Sequence, residues 1–330
     1  MAHVAVLGAG SWGSSLALLL SRKGLHVHLW TSDEGLAPEI NALRENRRFL
    51  KGFPLPACLS ATDDMQVAVS GASFVVFAVP ASAIRAVAEQ AAPYLHDLPP
   101  VISVAKGLSP DGVRPSQVLG AVLGTRASGI VVLSGPNLAL ELAREAPSAT
   151  VVASRELDAA RAAQELFMAS CLRVYTNPDV IGVEVAGALK NVYAIGAGMS
   201  DGLGFGDNTK AVLVTRGLAE MSRMGMALGA QERTFMGLAG IGDLMVTAVS
   251  TLSRNYRVGY GLAKGQTLDQ VLRQLGQVAE GVSTAAAVCA LCERFDVELP
   301  LARAIQGVLS GAVPLADAVD LLMHRPPRGE

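Results

Sequence analysis

Charged side chains are scarce in this chain. Only 17% of its residues are Asp, Glu, Lys or Arg, and the formal net charge is −2. That balance gives no reason to expect a nucleic-acid or membrane-surface partner. Aromatic residues are fewer still, at 5%. There are four cysteines, Cys58, Cys171, Cys289 and Cys292. The N-terminus carries no secretory signal pattern, because strand-like sequence begins at once with "HVAVLG". A reduced, cytoplasmic protein is expected. Cys289 and Cys292 form a C-x-x-C, but they lie in the apolar helical pattern "TAAAVCALCERF" with no second Cys or His pair nearby. Buried helix thiols fit better than redox or zinc chemistry, and no metal site is expected. His26 and His28 share a face of one strand, where two histidines alone make no metal site. Repeats and low-complexity segments are absent.

What the chain has in plenty is apolar sequence. Hydrophobic residues make up 51% of 330 positions, enough for about two domains of roughly 100–200 residues. The longest such run, "IGVEVAGALKNVYAIGAGM", approaches the ~20 residues of a membrane span. It carries Glu184 and Lys190 and has no aromatic belt, so a helix buried inside the protein is expected, not membrane insertion.

The first half alternates compact apolar runs with helical patterns. "HVAVLG", "HVHLW", "SFVVFAVP", "PPVISVAKG", "GIVVLSGP" and "SATVVAS" read as strands. Separated by helical stretches, they imply βαβ units and a mostly parallel sheet. After Pro178 helical patterns dominate, at 179–200, 208–229, 267–275, 281–295 and around 300–323. The expected fold is α/β: a doubly wound Rossmann-type domain over 1–178, followed by an all-α domain over 179–330. The closing "HRPPRGE" reads as a frayed tail.

Gly8, Gly10 and Gly13 fall in G-x-G-x-x-G spacing between a strand and a helix. That context gives the motif its meaning as a dinucleotide fingerprint. The first glycine permits the tight turn, the second admits a pyrophosphate and the third lets helix and strand pack closely. The helix N-terminus adds free N–H groups and partial positive charge. The second strand ends in "HLWTSDEG". Asp33 stands slightly later than the usual ribose-binding acid, and Ser32 is neutral. Arg47 and Arg48 are either solvated charges or partners for a phosphate.

Lys190 is the one charge in "GALKNVYAIGAGM". It shares a helix face with Val183, Ala186, Gly187, Ala194 and Ala197, a stripe that another helix or a ligand could approach closely. Glu184 lies on a different face and is a poor partner. A buried lysine can lose enough basicity to exchange protons near neutrality. Three further clusters carry two readings each. Lys106 follows a predicted strand, as an exposed loop residue or a ligand contact. Asp243 sits among glycines, as a helix cap or a site carboxylate. Ser253, Arg254 and Asn255 form a solvated loop or an anion site.

Taken together these residues resemble the NAD(P)-dependent glycerol-3-phosphate dehydrogenases of the soluble bacterial type. "GALKNVYAIGAGMSDGLGFGDN" matches the family signature, and "GAGSWG", "AVP", "AKGL", "SGP", "GLAGIGDLMVT", "SRNYRVG" and "AEGVSTAAAV" follow in family order. The resemblance implies reversible reduction of dihydroxyacetone phosphate to sn-glycerol 3-phosphate, a phospholipid precursor, by a homodimer. It assigns Lys190 as general acid/base, Lys106 to substrate and cofactor, and Asp243 to the substrate site. Ser253, Arg254 and Asn255 become the substrate-phosphate segment, with Arg254 also near the cofactor. Gly135 and Asn137 become substrate contacts. Ser11, Trp12, Ser32, Ala139, Val278 and Glu280 join the glycines as cofactor contacts. The chain departs from the family at Asn137, where Ser or Thr is usual, and at Ser32, where many relatives carry an Arg or His that favours NADPH. Near Phe49 and Lys51, "FLKGF" stands where the family has a pattern with Tyr and Pro. NAD and NADP therefore both remain open. The rival classes are a β-hydroxyacid dehydrogenase, which also uses a lysine on a buried helix, and a nucleotide sensor without turnover.

Overall fold

The structure, a computed structural model, describes residues 3–95, 99–124 and 129–326. The chain divides into two compact units, Met1–Ala105 with Arg114–Val183 and Lys106–Val113 with Glu184–Glu330.

The first unit is built on an eight-stranded sheet. Its strands are β1 (His3–Leu7), β2 (Val27–Trp30), β3 (Leu59–Thr62), β4 (Ala72–Phe77), β5 (Val101–Ser103), β6 (Val131–Ser134), β7 (Ser148–Ala153) and β8 (Leu172–Asn177). Their spatial order is 3-2-1-4-5-6-7-8. Strands β3 to β6 run parallel, β7 is antiparallel to β6, and β8 is parallel to β7. The first six strands thus follow the doubly wound dinucleotide-binding order. All of β1 is buried, as a central parallel strand covered on both faces must be. The two strands not expected from sequence, β3 and β8, are the sheet's edges. Each pairs on one side only, and their "LSAT" and "LRVYTN" are too polar to stand out as apolar runs.

The helices of this unit are α1 (Ser11–Arg22), α2 (Leu36–Leu43), α3 (Met65–Val69), α4 (Ile84–Ala91), α5 (Pro115–Leu123), α6 (Ala139–Ala143) and α7 (Leu157–Phe167). Leu16, Leu18 and Leu20 of α1 are fully buried in a core shared with Val6, Leu29 and Leu133 of the sheet.

Helix α8 (Val180–Gly202) carries the chain into the second unit. There follow α9 (Asp207–Ala227), α10 (Glu232–Phe235), a π-helical turn (Leu238–Gly242), α11 (Asp243–Val249), α12 (Arg254–Ala263), α13 (Leu268–Leu275), α14 (Glu280–Phe295), α15 (Pro300–Leu309) and α16 (Leu315–Met323). The helical pattern expected around 300–323 is two helices, with Pro314 at the N-cap of the second. Residues 327–330 of the expected frayed tail lie outside the described residues.

Helix α8 is long and apolar enough to cross a membrane, but 94% of its most apolar window is buried within the protein. Glycine explains how. A Cβ on Gly198 would strike the Tyr256 carbonyl oxygen, and one on Gly259 would strike the Ile195 carbonyl oxygen. Helices α8 and α12 therefore meet backbone to backbone. Tyr193 of α8 donates a hydrogen bond to Glu220 at 3.1 Å. Glu220 also accepts from the N–H groups of Leu301 and Ala302, at 2.8 and 3.0 Å, and so caps α15.

Gly259→Ala gains about 1 kcal/mol of helix propensity but places a methyl group inside a rigid carbonyl. We expect a net loss of stability, read as a thermal unfolding midpoint several degrees below wild type. An unchanged midpoint would show that the two helices can separate at no cost.

Candidate active site

In the first unit, the glycine turn lies where the strand order reverses, between β1 and β4. Gly8 has φ +119°, and a Cβ there would lie 2.6 Å from the Ala78 carbonyl oxygen. Gly13 abuts the Gly8 carbonyl so closely that a side chain would overlap it. Gly10 differs: a Cβ on it would meet nothing within 4 Å. Two of the glycines are thus needed for packing, and the third leaves open space at the helix start. No side chain caps α1. An uncapped helix N-terminus with open space at its first residue fits a dinucleotide pyrophosphate.

Asn46, which belongs to no motif of the sequence, holds this turn. It is fully buried, donates to the Ala9 carbonyl at 2.8 Å and to Ser14 Oγ at 2.9 Å, and accepts from the Phe49 N–H at 3.1 Å. Trp12 packs against the core, and its indole N–H is buried without a hydrogen-bond partner. Ser32 is exposed just past β2. Ser15 Oγ donates to the Ala139 carbonyl at 2.9 Å, which ties the start of α6 to α1. Gly135 and Asn137 lie in the turn from β6 to α6. The Asn137 amide accepts from Thr150 Oγ1 at 2.8 Å and donates to the Ala149 carbonyl at 3.0 Å, so it fastens that turn to β7.

The second unit holds Lys106, Lys190, Asp243, Ser253, Arg254, Asn255, Val278 and Glu280. Three of them meet directly. The Asp243 carboxylate is 0% exposed and lies between two ammonium groups. Lys190 Nζ donates to its Oδ1, and Lys106 Nζ donates to its Oδ2 at 2.7 Å. Asp243 is delivered by the π-helical turn that precedes α11. The glycines of "GLAGIGD" make this turn possible, because a Cβ on Gly240 would overlap the Phe235 carbonyl. Asp243 opens α11, and its carboxylate is hydrogen-bonded to the two lysines.

Thr247, one turn along α11, completes the arrangement. Its hydroxyl donates to the Asp243 carbonyl at 2.6 Å and accepts from Lys190 Nζ at 2.7 Å. Asp243 and Thr247 thus hold two positions of the tetrahedral Lys190 nitrogen. With both lysines charged, the cluster has a net positive charge and suits an oxyanion. Burial drives the Lys190 pKa from 10.5 down to about 7; the Asp243 carboxylate opposes the shift and the Lys106 ammonium assists it.

Asn191 anchors the neighbouring segments. Its amide donates to the Lys106 carbonyl at 2.7 Å and accepts from Asn255 at 2.9 Å. Asn255 in turn accepts from the Gly281 N–H at 2.9 Å. This relay fixes the Lys106 loop, the start of α12 and the start of α14, where Val278 and Glu280 lie. Ser253 is the N-cap of α12, accepting from the Tyr256 N–H at 3.2 Å, and exposed Arg254 is the first helical residue. "SRN" is thus a helix N-terminus, with the free N–H groups and positive end that an anion requires.

A doubly wound sheet with a dinucleotide-binding glycine turn, together with a helical unit that buries a lysine against a carboxylate, fits a nicotinamide-dependent dehydrogenase. Comparison with known proteins narrows the class. Residues 3–160 match the model of the NAD-dependent glycerol-3-phosphate dehydrogenase N-terminus, and residues 179–320 match that of its C-terminus. A glycerol-3-phosphate dehydrogenase [NAD(P)+] of Pelotomaculum thermopropionicum is 48% identical over 98% of this chain and 93% of its own length. One from Geobacillus kaustophilus is 46% identical over 98% and 95%. The crystal structure of glycerol-3-phosphate dehydrogenase from Coxiella burnetii superposes with a TM-score of 0.94 at 35% identity, covering 98% of this chain and 99% of that one. The chain belongs to the NAD-dependent glycerol-3-phosphate dehydrogenase family.

The different surroundings of Gly10 and Gly13 make a prediction. Gly10→Ala should unfold at the wild-type temperature yet bind NADH more weakly, measured by nucleotide fluorescence. Gly13→Ala should lose stability outright, by about 1–3 kcal/mol in denaturant unfolding. Equal effects of the two substitutions on both readouts would contradict the division of labour.

Proposed function

We propose that this chain is a cytoplasmic, homodimeric sn-glycerol-3-phosphate dehydrogenase. It interconverts dihydroxyacetone phosphate and sn-glycerol 3-phosphate with NAD or NADP, and supplies the product to phospholipid synthesis. The observation that carries the reading is the cluster in which Lys190 and Lys106 share the buried Asp243 carboxylate.

The Gly8–Gly13 turn would hold the pyrophosphate of the nicotinamide cofactor, which would supply or take up the hydride when bound. The chain's own residues manage the rest. Arg254, Asn255 and the start of α12 hold the substrate phosphate, and this non-reacting group provides binding energy that positions the carbonyl. In reduction, protonated Lys190 donates to the oxygen developing at C2. In oxidation, neutral Lys190 takes the proton from the C2 hydroxyl. Asp243 and Thr247 hold the nitrogen in place through both. Lys106 adds positive charge beside the developing oxyanion. A pKa of about 7 lets one side chain serve both directions near neutrality.

The sign of the pH dependence follows. Oxidation needs the neutral amine, so its rate should rise through pH 7 and level off above. Reduction needs the ammonium, so its rate should fall through the same range. An initial-rate profile in both directions checks this, and parallel profiles would contradict it.

Lys190→Ala should lower turnover by at least ~10²-fold, the usual range for general acid/base help, without weakening NADH binding. Near-normal turnover would refute the assignment. Arg254→Ala should chiefly raise KM for dihydroxyacetone phosphate. An unchanged KM would remove the phosphate from α12. Assays with NADH and NADPH, against a β-keto acid as control, separate this function from its rivals.

A further inference from the structure

Asp33 and Arg48 have no role in the reading above, yet they lie beside the glycine turn. The Gly8 N–H donates to the Trp30 carbonyl at 2.9 Å, so β2 leaves the sheet next to that turn. Thr31 Oγ1 accepts from the Asp33 N–H at 3.1 Å and sets the bend that presents Asp33. Arg48 arrives from another segment, and that segment is indexed to the same turn. Asn46 grips the Ala9 carbonyl and Ser14, and it also receives the Phe49 N–H. Arg48 Nη1 lies 2.9 Å from Asp33 Oδ2, and its guanidinium carbon lies 4.9 Å from the Phe49 ring centroid.

The two side chains have opposite chemistry toward a dinucleotide. A carboxylate past the second strand accepts a hydrogen bond from the 2′-hydroxyl of the adenosine ribose and repels a phosphate there. A guanidinium binds that phosphate in a charge-assisted, often bidentate contact. This chain places one of each in contact. The side chains are 38% and 58% exposed, and exposed pairs are worth only ~0–1 kcal/mol, so the partners exchange easily.

We propose that the Asp33–Arg48 pair reads the 2′ position of the cofactor's adenosine ribose. Paired, Asp33 accepts the hydroxyl of NAD(H), with its charge balanced by Arg48. Parted, Arg48 takes the phosphate of NADP(H), with its plane kept against Phe49. The pair makes the enzyme accept both cofactors without an Arg or His at Ser32. The proposal rests on the Gly8–Gly13 turn being the dinucleotide site.

The test is direct binding without substrate. Dissociation constants for NADH and NADPH are measured by nucleotide fluorescence on the full-length wild type, Asp33→Asn, Arg48→Gln and the double variant. Arg48→Gln should weaken NADPH by ~10-fold or more while changing NADH far less. Asp33→Asn should shift the ratio the other way, weakening NADH and tightening NADPH several-fold. The double variant should return the ratio toward wild type. Equal losses for both nucleotides would reduce Arg48 to a loop support and overturn the proposal. So would ratios that stay within about twofold of wild type, the scale of an exposed pair with no ligand role. A wild type that binds neither nucleotide would overturn the glycine-turn reading and the proposal with it, whereas failure of the variants alone would leave that reading standing.

Discussion

An ammonium ion taken out of water is destabilised by several kcal/mol unless charge and hydrogen bonds replace its hydration. Lys190 is such an ion, 5% exposed on a helix whose neighbours are apolar. The second unit answers with a carboxylate and a hydroxyl, both from α11. Asp243 serves two lysines at once, so its compensation of Lys190 is divided. Burial therefore prevails, and the amine sits at the edge of ionisation. A fully compensated lysine would stay charged and be inert at neutral pH. One without any partner would be neutral and could not return a proton.

The surrounding architecture follows from placing that nitrogen. Asp243 must reach α8 from a point 53 residues further along the chain. The π-helical turn before α11 aims it there, and only glycine fits the turn's closest approach. Helix α12 must bring its positive end near without crowding α8, which the backbone contacts at Gly198 and Gly259 allow. The Asn191–Asn255–Gly281 relay then ties together the Lys106 loop, the start of α12 and the start of α14. Because each amide in it is committed at both ends, the positions of these segments are coupled, and movement of one is felt by the others.

The parts of this design that are local in sequence were legible there. Gly13 abuts Gly8 within a single strand–turn–helix, which the spacing alone reveals, whereas the contact that confines Gly8 is with Ala78 just past β4. The central strands, buried on both faces, announce themselves as apolar runs. The edge strands β3 and β8 do not, since half their surface is wet. Helices α11 and α12 were hidden for a related reason: "GLAGIGD" and "LSRN" carry the glycine and polar residues of loops, although each is a helix start. The Lys190–Asp243–Lys106 contact joins three distant segments, and no spacing rule predicts it. Those residues were first brought together by family resemblance, and the geometry supplies the physical reason for each. Thr247 and Asn191 were missed, though each left a trace: Thr247 follows Asp243 by one helical turn, and Asn191 is the polar neighbour of Lys190. Asn46 left none.

Proton transfer by Lys190 in both directions requires that it titrate near neutrality. The direct measurement is an NMR titration of the protein with ¹³C-labelled lysine side chains, with the Lys190 signal assigned by its absence in Lys190→Arg. An inflection near pH 7 is predicted. A signal that stays that of a charged ammonium until pH 10 would mean that Asp243 outweighs burial, and that the proton in this reaction moves some other way.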